Sequence, residues 1–208
     1  AISSGDIVSE DENIKTGDYM MHLKENIKEY ATSKFVLHDG KPYLVGSFVR
    51  INTNYNDLNE NTKKLFKKYR IQLPFDNPFA NNIAQAIELF DSFYQVERLI
   101  SLVEKEKDER REVVFKDGRG VAAVEAPRGT LFHEYEINEG KITYCNIITP
   151  TAQNLNQMEI DIKNYVQILL DKKLDKDKMV MEIEKLIRSY DPCFSCSTHF
   201  LKVNWDES

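Results

Sequence analysis

No apolar run in the 208 residues approaches the roughly 18 to 20 residues that a membrane-spanning helix needs, so a membrane partner is not expected. The opening segment Ala1-Ile2-Ser3-Ser4-Gly5-Asp6 lacks a basic region followed by an apolar one, which argues against a secretory leader and makes a cytoplasmic location the default. A basic excess is also missing: the formal net charge is -6 and the pI about 5.4. Nucleic-acid binders cluster Lys and Arg against phosphates, so nucleic acid is not an expected partner. Cysteine is scarce and odd in number, at three, with two of them three positions apart near the carboxyl end. That is no framework for a secreted disulfide scaffold. Repeats and low-complexity tracts are absent. What remains is 41% hydrophobic and 30% charged, within the range of a globular chain long enough to bury a core.

Residues 1–18 are polar and acidic without a sustained period and read as a poorly ordered arm. Lys34-Phe35-Val36-Leu37 and Tyr43-Leu44-Val45, either side of Asp39-Gly40, predict a hairpin. Leu58, Leu65 and Phe66 among charged residues suggest a solvated helix from Asp57 to about Tyr69, ended before Pro74. After Asn77-Pro78 the longest helical pattern begins. Ile83, Ala86, Ile87, Phe90, Tyr94, Leu99, Leu102 and Val103 keep one face apolar, which predicts a core helix. Its mixed-charge tail, Glu104 to Arg111, reads as a solvated end. Strands are expected over Val113 to Phe115, Gly120 to Val124, Thr130 to Ile137 and Lys141 to Ile148, the last two joined through Asn138-Glu139-Gly140. Helices follow over Leu155 to Leu170 and Asp177 to Arg188, with Asp175 as N-cap of the second. The pattern predicts an α+β fold, mainly helical with a small antiparallel sheet.

The segment Asp191-Pro192-Cys193-Phe194-Ser195-Cys196-Ser197-Thr198-His199 gathers two thiols and an imidazole. Thiolates are soft ligands, and a C-x-x-C turn lets both sulfurs face one ion. Three readings stay open on spacing alone. Zinc would need further ligands, and only Cys145 and the scattered His22, His38 and His133 are available. A redox dithiol would sit near the start of a βαβ pattern, not behind a helix at the chain end. The third reading is an incomplete site for another metal. Cys145 itself alternates along a strand and reads as a small apolar residue.

The same string resembles the D-P-C-x-x-C-x-x-H signature that closes the mature large subunit of nickel-iron hydrogenases. Glu125-Ala126-Pro127-Arg128-Gly129 resembles the family's E-A-P-R-G segment, and Thr149-Pro150-Thr151-Ala152-Gln153-Asn154 its P-T-x-Q-N segment. Tyr43-Leu44-Val45-Gly46, Asn77-Pro78-Phe79 and Ala86-Ile87-Glu88 extend the likeness through the chain in family order. The resemblance implies the large-subunit fold over residues 19–199. It also implies a nickel-iron centre in which two cysteines bridge nickel and iron, two more bind nickel alone, and cyanide and carbonyl sit on iron. Cys193 would be a terminal nickel thiolate and the proton acceptor when dihydrogen is cleaved. Cys196 would bridge, and His199 would help hold a nearby magnesium or iron ion. Pro127, Arg128 and Thr151 would surround the cyanide ligands. There Arg128 would stabilise charge with fixed, charge-assisted donors. An iron-sulfur small subunit would carry the electrons.

Two departures shape the expectation. The family's second C-x-x-C, near the amino terminus, has no counterpart among the three cysteines. Residues 200–208 continue past His199 and resemble an extension that a maturation protease removes. The chain is therefore expected to represent a carboxyl-terminal part, metal-free and inactive alone, with reduced thiols or a Cys193-Cys196 disulfide and a missing amino-terminal half as its partner. An uncovered apolar face would also favour homo-oligomers. A non-catalytic remnant, a regulatory or assembly module, and a small zinc-binding protein are the alternatives. Ser47-Phe48-Val49-Arg50, where relatives commonly show P-L-A-R, and Gln85, where they carry arginine, are lesser departures. The P-T-x-Q-N form and the tail lean toward the cytosolic group that works with deazaflavin, nicotinamide, viologen or heterodisulfide partners.

Overall fold

A computed structural model of the chain describes residues 1–3, 6–8, 13–103, 116–197 and 204–205. Strands β1 (Ile2–Ser3), β2 (Asp6–Val8) and β3 (Asn13–Ile14) form a short antiparallel meander. The helical turn α1 (Tyr19–His22) leads into β4 (Leu23–Ile27), which pairs antiparallel with β5 (Lys34–His38). Helices α2 (Ser47–Asn54), α3 (Glu60–Tyr69) and α4 (Asn81–Val103) follow. A three-stranded antiparallel sheet is built from β6 (Gly118–Ala126), β7 (Gly129–Asn138) and β8 (Lys141–Ile148), in that order. Helices α5 (Pro150–Asp171) and α6 (Lys176–Ser189) and the short turn α7 (Phe194–Ser197) complete the described chain. The α+β expectation, mainly helical with small antiparallel sheets, holds.

Local chemistry accounts for the elements read correctly. Glu139 and Gly140 take positive φ, 51° and 71°, the conformation that a two-residue hairpin turn between β7 and β8 demands. The Asp175 carboxylate accepts from the Lys178 amide and caps α6, as expected. Thr149 caps α5 in the same way, with Pro150 in its first turn.

Three expectations are revised. In the span read as an arm, residues 1–18, the described residues include the β1–β3 meander and a 3-10 turn over Thr16–Asp18, and Ile14 is buried. The hairpin expected between residues 34–37 and 43–45 does not form; β5 pairs instead with β4, Phe35 opposite Asn26. Pro42 has no amide hydrogen to offer a ladder, and Val45 finds another partner. Its N–H donates to the Asn154 side-chain oxygen at 2.8 Å, and its carbonyl accepts from the Asn154 amide nitrogen at 3.3 Å. Asn156 likewise donates to the Val36 carbonyl of β5 at 2.9 Å. Two side-chain amides from α5 thus do what a neighbouring strand would.

The third revision concerns α4. Ala84 and Ile87 pack with Ile51, Phe66 and Phe75 in one core cluster. Beyond them Phe93, Val96, Leu99, Ile100, Leu102 and Val103 are exposed, so only the early turns of the expected core helix are core. The pattern signalled an apolar face correctly, but among the described residues nothing covers its second half. The charged tail 104–111 and the strand expected over 113–115 lie outside the described residues. Among those residues, no helix is long and apolar enough to cross a membrane.

A second cluster, Tyr19, Val36, Phe132, Ile148 and Ala152, ties α1, β5, β7, β8 and α5 together. At its edge sits a buried carboxylate, Glu134, which accepts from the Tyr19 hydroxyl at 2.5 Å and from the Arg119 guanidinium. Burial pushes this carboxyl up, but the Tyr19 and Arg119 hydrogen bonds outweigh burial and hold it below its ordinary 4.5. A folded-state value below the unfolded one stabilises the fold above the ordinary carboxylate range, and this is lost as pH falls through the folded value. Urea titrations should therefore show parent stability declining as pH falls through and below the ordinary carboxylate range. Glu134→Gln should be less stable than the parent at neutral pH and flatter across that window.

Candidate metal centre

The carboxyl-terminal cysteines are presented by a tight turn. Helix α6 ends at Ser189, Asp191 adopts positive φ (50°), and Pro192 follows. The backbone then curls so that the Cys196 and Ser197 amides both donate to the Cys193 carbonyl at 3.1 Å. This joins the two Sγ atoms in a disulfide, with the Cα atoms 5.3 Å apart. The Ser195 hydroxyl lies 3.4 Å from the Cys193 sulfur.

The start of α5 holds this turn in place. Thr151, buried at 3% exposure, accepts the Cys193 amide on its hydroxyl at 3.2 Å. Thr149 and Ser197 hydroxyls meet at 3.2 Å. Two residues further along α5, the buried Gln153 side chain donates to the Thr130 carbonyl at 2.6 Å and accepts from the Tyr43 hydroxyl at 3.0 Å. The P-T-x-Q-N string is thus a polar clamp: Thr151 grips the cysteine turn, Gln153 the β7 strand, Asn154 the extended segment at Val45.

Arg128 approaches from the turn between β6 and β7. Its Nε donates to the Asp191 carbonyl at 2.7 Å and its terminal nitrogen to the Asp191 carboxylate at 3.2 Å. Gln85 of α4 donates to the other Asp191 oxygen at 3.1 Å. The β6–β7 turn can reach this position because two glycines cross. A Cβ on Gly129 would lie 2.4 Å from a methyl of Val45, and one on Gly46 would lie 2.9 Å from the Arg128 carbonyl oxygen.

Behind the turn, Arg50 acts as a hub. It forks onto both Glu88 oxygens at 2.7 Å, pairs with Glu125 at 2.8 Å, and donates to the Ala126 and Pro127 carbonyls at 3.1 and 2.8 Å. Burial works against its charge, but the Glu88 and Glu125 partners outweigh it and raise its pKa. Arg50, Glu88, Glu125 and Pro127 help to line an open cleft of about 690 Å³.

Of the residues singled out in the sequence, Cys193, Cys196, Thr151 and Arg128 converge on this one turn, either directly or through Asp191. Pro127 lies in the β6–β7 turn with its carbonyl fixed by Arg50. His199 lies outside the described residues. Cys145, read as a small apolar strand residue, is exposed on β8. Sequence reasoning missed Asp191 as the partner of Arg128, and Arg50 as the hub. The signal for the hub was present in the glutamates of two recognised strings, Glu88 and Glu125, which need a cation when half-buried.

Comparison with known proteins decides the family. The family model for nickel-dependent hydrogenase matches residues 8–199. The chain belongs to the nickel-dependent hydrogenase family. The alpha subunit of sulfhydrogenase 1 from Pyrococcus furiosus is 36% identical over 202 residues, covering 94% of this chain and 46% of the relative. The beta subunit of the NAD-reducing hydrogenase HoxS from Cupriavidus necator is 31% identical over 206 residues, covering 88% of this chain and 40% of the relative. Among solved structures, an NAD+-reducing [NiFe]-hydrogenase in its H2-reduced state superposes with a TM-score of 0.76 at 27% identity, over 90% of this chain and 44% of that one. The Ni-Fe-Se hydrogenase of D. vulgaris Hildenborough, at 18% identity and a TM-score of 0.62 over 92% of this chain and 47% of that one, shares the fold. The chain spans less than half the length of each of these relatives, and the large-subunit fold expected from its motifs is confirmed.

Proposed function

We propose that this chain is the carboxyl-terminal half of a hydrogenase large subunit and supplies two of the four thiolates of a nickel-iron centre. One observation carries the reading: Thr151, and Arg128 through Asp191, converge on the turn that bears Cys193 and Cys196. The donor chemistry fits half of such a centre. Once the Cys193–Cys196 disulfide is reduced, two soft thiolates on one turn suit nickel, and with three cysteines in the chain and Cys145 exposed on β8, the other pair would come from another polypeptide segment. Cys193 would bind nickel, Cys196 would bridge to iron, and His199 would help hold a magnesium or iron ion. When bound, the centre with its cyanide and carbonyl ligands supplies the Lewis acidity for reversible heterolysis of dihydrogen.

The chain's own groups would do the rest. The Cys193 sulfur would take the proton, and Arg128, fixed by Asp191, would place positive charge beside the site with Pro127 and Thr151 lining the iron side. Thr151 would fix the Cys193 backbone through its hydroxyl. An iron-sulfur small subunit would receive the electrons, and the exposed second half of α4 is the surface that the amino-terminal half would cover, or that would otherwise drive self-association. The tail 200–208 would be the substrate of a maturation protease. A deazaflavin, nicotinamide or viologen partner would complete the electron path, and the enzyme would work in the cytoplasm. Alone, the chain would be inactive and free of metal at the cysteine turn.

Metal analysis tests the reading. Co-production with a polypeptide carrying the second C-x-x-C should give stoichiometric nickel and iron, and the chain alone neither. Cys193→Ser and Cys196→Ser should each return nickel to background. Zinc in place of nickel and iron in the co-produced complex, lost in Cys193→Ser and Cys196→Ser, would overturn the proposal. Absence of any metal from the co-produced complex would instead favour a non-catalytic assembly or regulatory module.

A further inference from the structure

On the far side of the Tyr43–Val45 segment, the chain brings together three metal-binding groups that the cysteine turn does not use. His22 ends α1 and His38 ends β5, and the β4–β5 register sets Leu23 opposite His38, so the two imidazoles fall side by side with ring centroids 5.9 Å apart. Asp39 follows in positive φ (46°), its amide donating to the His22 carbonyl at 2.8 Å. That backbone bond fixes the carboxylate between the rings. Asp39 Oδ2 lies 3.3 Å from His22 Nδ1 and 3.7 Å from His38 Nε2, and ligand atoms from all three residues lie within 4.8 Å of one another.

We propose that His22, His38 and Asp39 form a binding site for one divalent cation of the zinc class. Tetrahedral ligands 2.0 to 2.1 Å from zinc stand roughly 3.3 Å apart, and both measured separations are close to that edge. The donor set, two imidazoles and a carboxylate, suits zinc, cobalt or nickel in preference to magnesium or calcium, which take oxygen ligands. The fourth position would face the cavity of about 500 Å³ that His38 and Asp39 help to line, leaving room for water or an exogenous ligand. An ion there would pin the Asp39–Gly40 turn to the end of α1. The site is independent of the cysteine turn and does not depend on the proposed activity.

Cobalt(II) titration of the cysteine-free chain C145S/C193S/C196S tests this, because any ion bound there cannot be held by thiolate. One equivalent of cobalt should bind with visible d–d bands, and one equivalent of zinc should displace it. His22→Gln and His38→Gln should each weaken binding by more than about 100-fold, beyond the roughly 10- to 100-fold that loss of an outer-shell partner costs. Asp39→Asn should weaken it less, since an amide oxygen remains a poor ligand. Circular dichroism checks that each variant folds, and if one histidine variant does not, the other carries the test. Failure of cobalt and zinc to bind below about 1 mM, or binding indifferent to both histidine substitutions, would overturn the proposal.

Discussion

Arg50→Met is expected to lower the free energy of unfolding by about 3 to 5 kcal/mol, the range seen when one member of a buried ion pair is removed. The Arg50 side chain is only 14% exposed, and its loss leaves Glu88 and Glu125 as half-buried carboxylates with their shared cation gone. It also releases the Ala126 and Pro127 carbonyls. A marginally stable domain has roughly 5 to 15 kcal/mol in all, so the loss takes a large fraction of it. Arg50→Lys should recover part of the deficit, because an ammonium keeps the charge without the planar fork that grips two carboxylates and two carbonyls together. Urea midpoints at neutral pH check both variants. A methionine variant as stable as the parent would mean that the hub contributes nothing, and the account of the β6–β7 turn would fail with it.

Gly129→Ala is expected to cost on the order of 3 to 5 kcal/mol, combining strain at positive φ with overpacking. Gly129 sits at φ 134°, and an added Cβ would lie 2.4 Å from a Val45 methyl and 2.9 Å from the Gly46 nitrogen. Val45 cannot retreat, since Asn154 holds both of its backbone polar groups. Adding Val45→Ala should relieve the methyl contact and leave the strain, the 2.8 Å contact with the Cβ of residue 45 and the Gly46 contact. The double variant should therefore be more stable than the sum of the two single effects predicts, a coupling that a double-mutant cycle reads directly. Full additivity would show that the two segments do not meet. Because the crossing places the turn that carries Arg128, the substitution should also disturb the Arg128–Asp191 pair.

How far the sequence could be read follows from how local each signal is. The β7–β8 hairpin, the capped α6 and the helical run of α3 are set by residues within a turn or two of one another. They were visible. Strand β4 was not, because Lys24, Glu25 and Asn26 interrupt any apolar alternation, and its pairing with β5 comes from tertiary contacts. The short strands of residues 1–14 are two or three residues long and leave no periodic trace. For the site, motif strings gave Cys193, Cys196, Thr151 and Arg128 because their order matched a family pattern. The links between those strings were hidden: Arg50 meets Glu88 and Glu125 across 38 and 75 positions of sequence, and no spacing rule encodes that. Nor did the pattern reveal that His22 and His38, scattered along the chain, end neighbouring elements. The extent of α4 burial depends on what covers it, which a single chain's pattern does not state.

The two asparagines of α5 carry one more consequence. A two-stranded sheet such as β4–β5 has an open edge, and open edges recruit strands from other molecules. Asn156 occupies the Val36 carbonyl on that sheet, and Asn154 takes both polar groups of Val45 on the extended segment that follows. These amides imitate a strand without being one, and on the β5 side Asn156 occupies a carbonyl that an incoming strand would need. The helix that positions the cysteine turn thereby also blunts the β5 edge against strand addition, in a chain that already displays an apolar helix face.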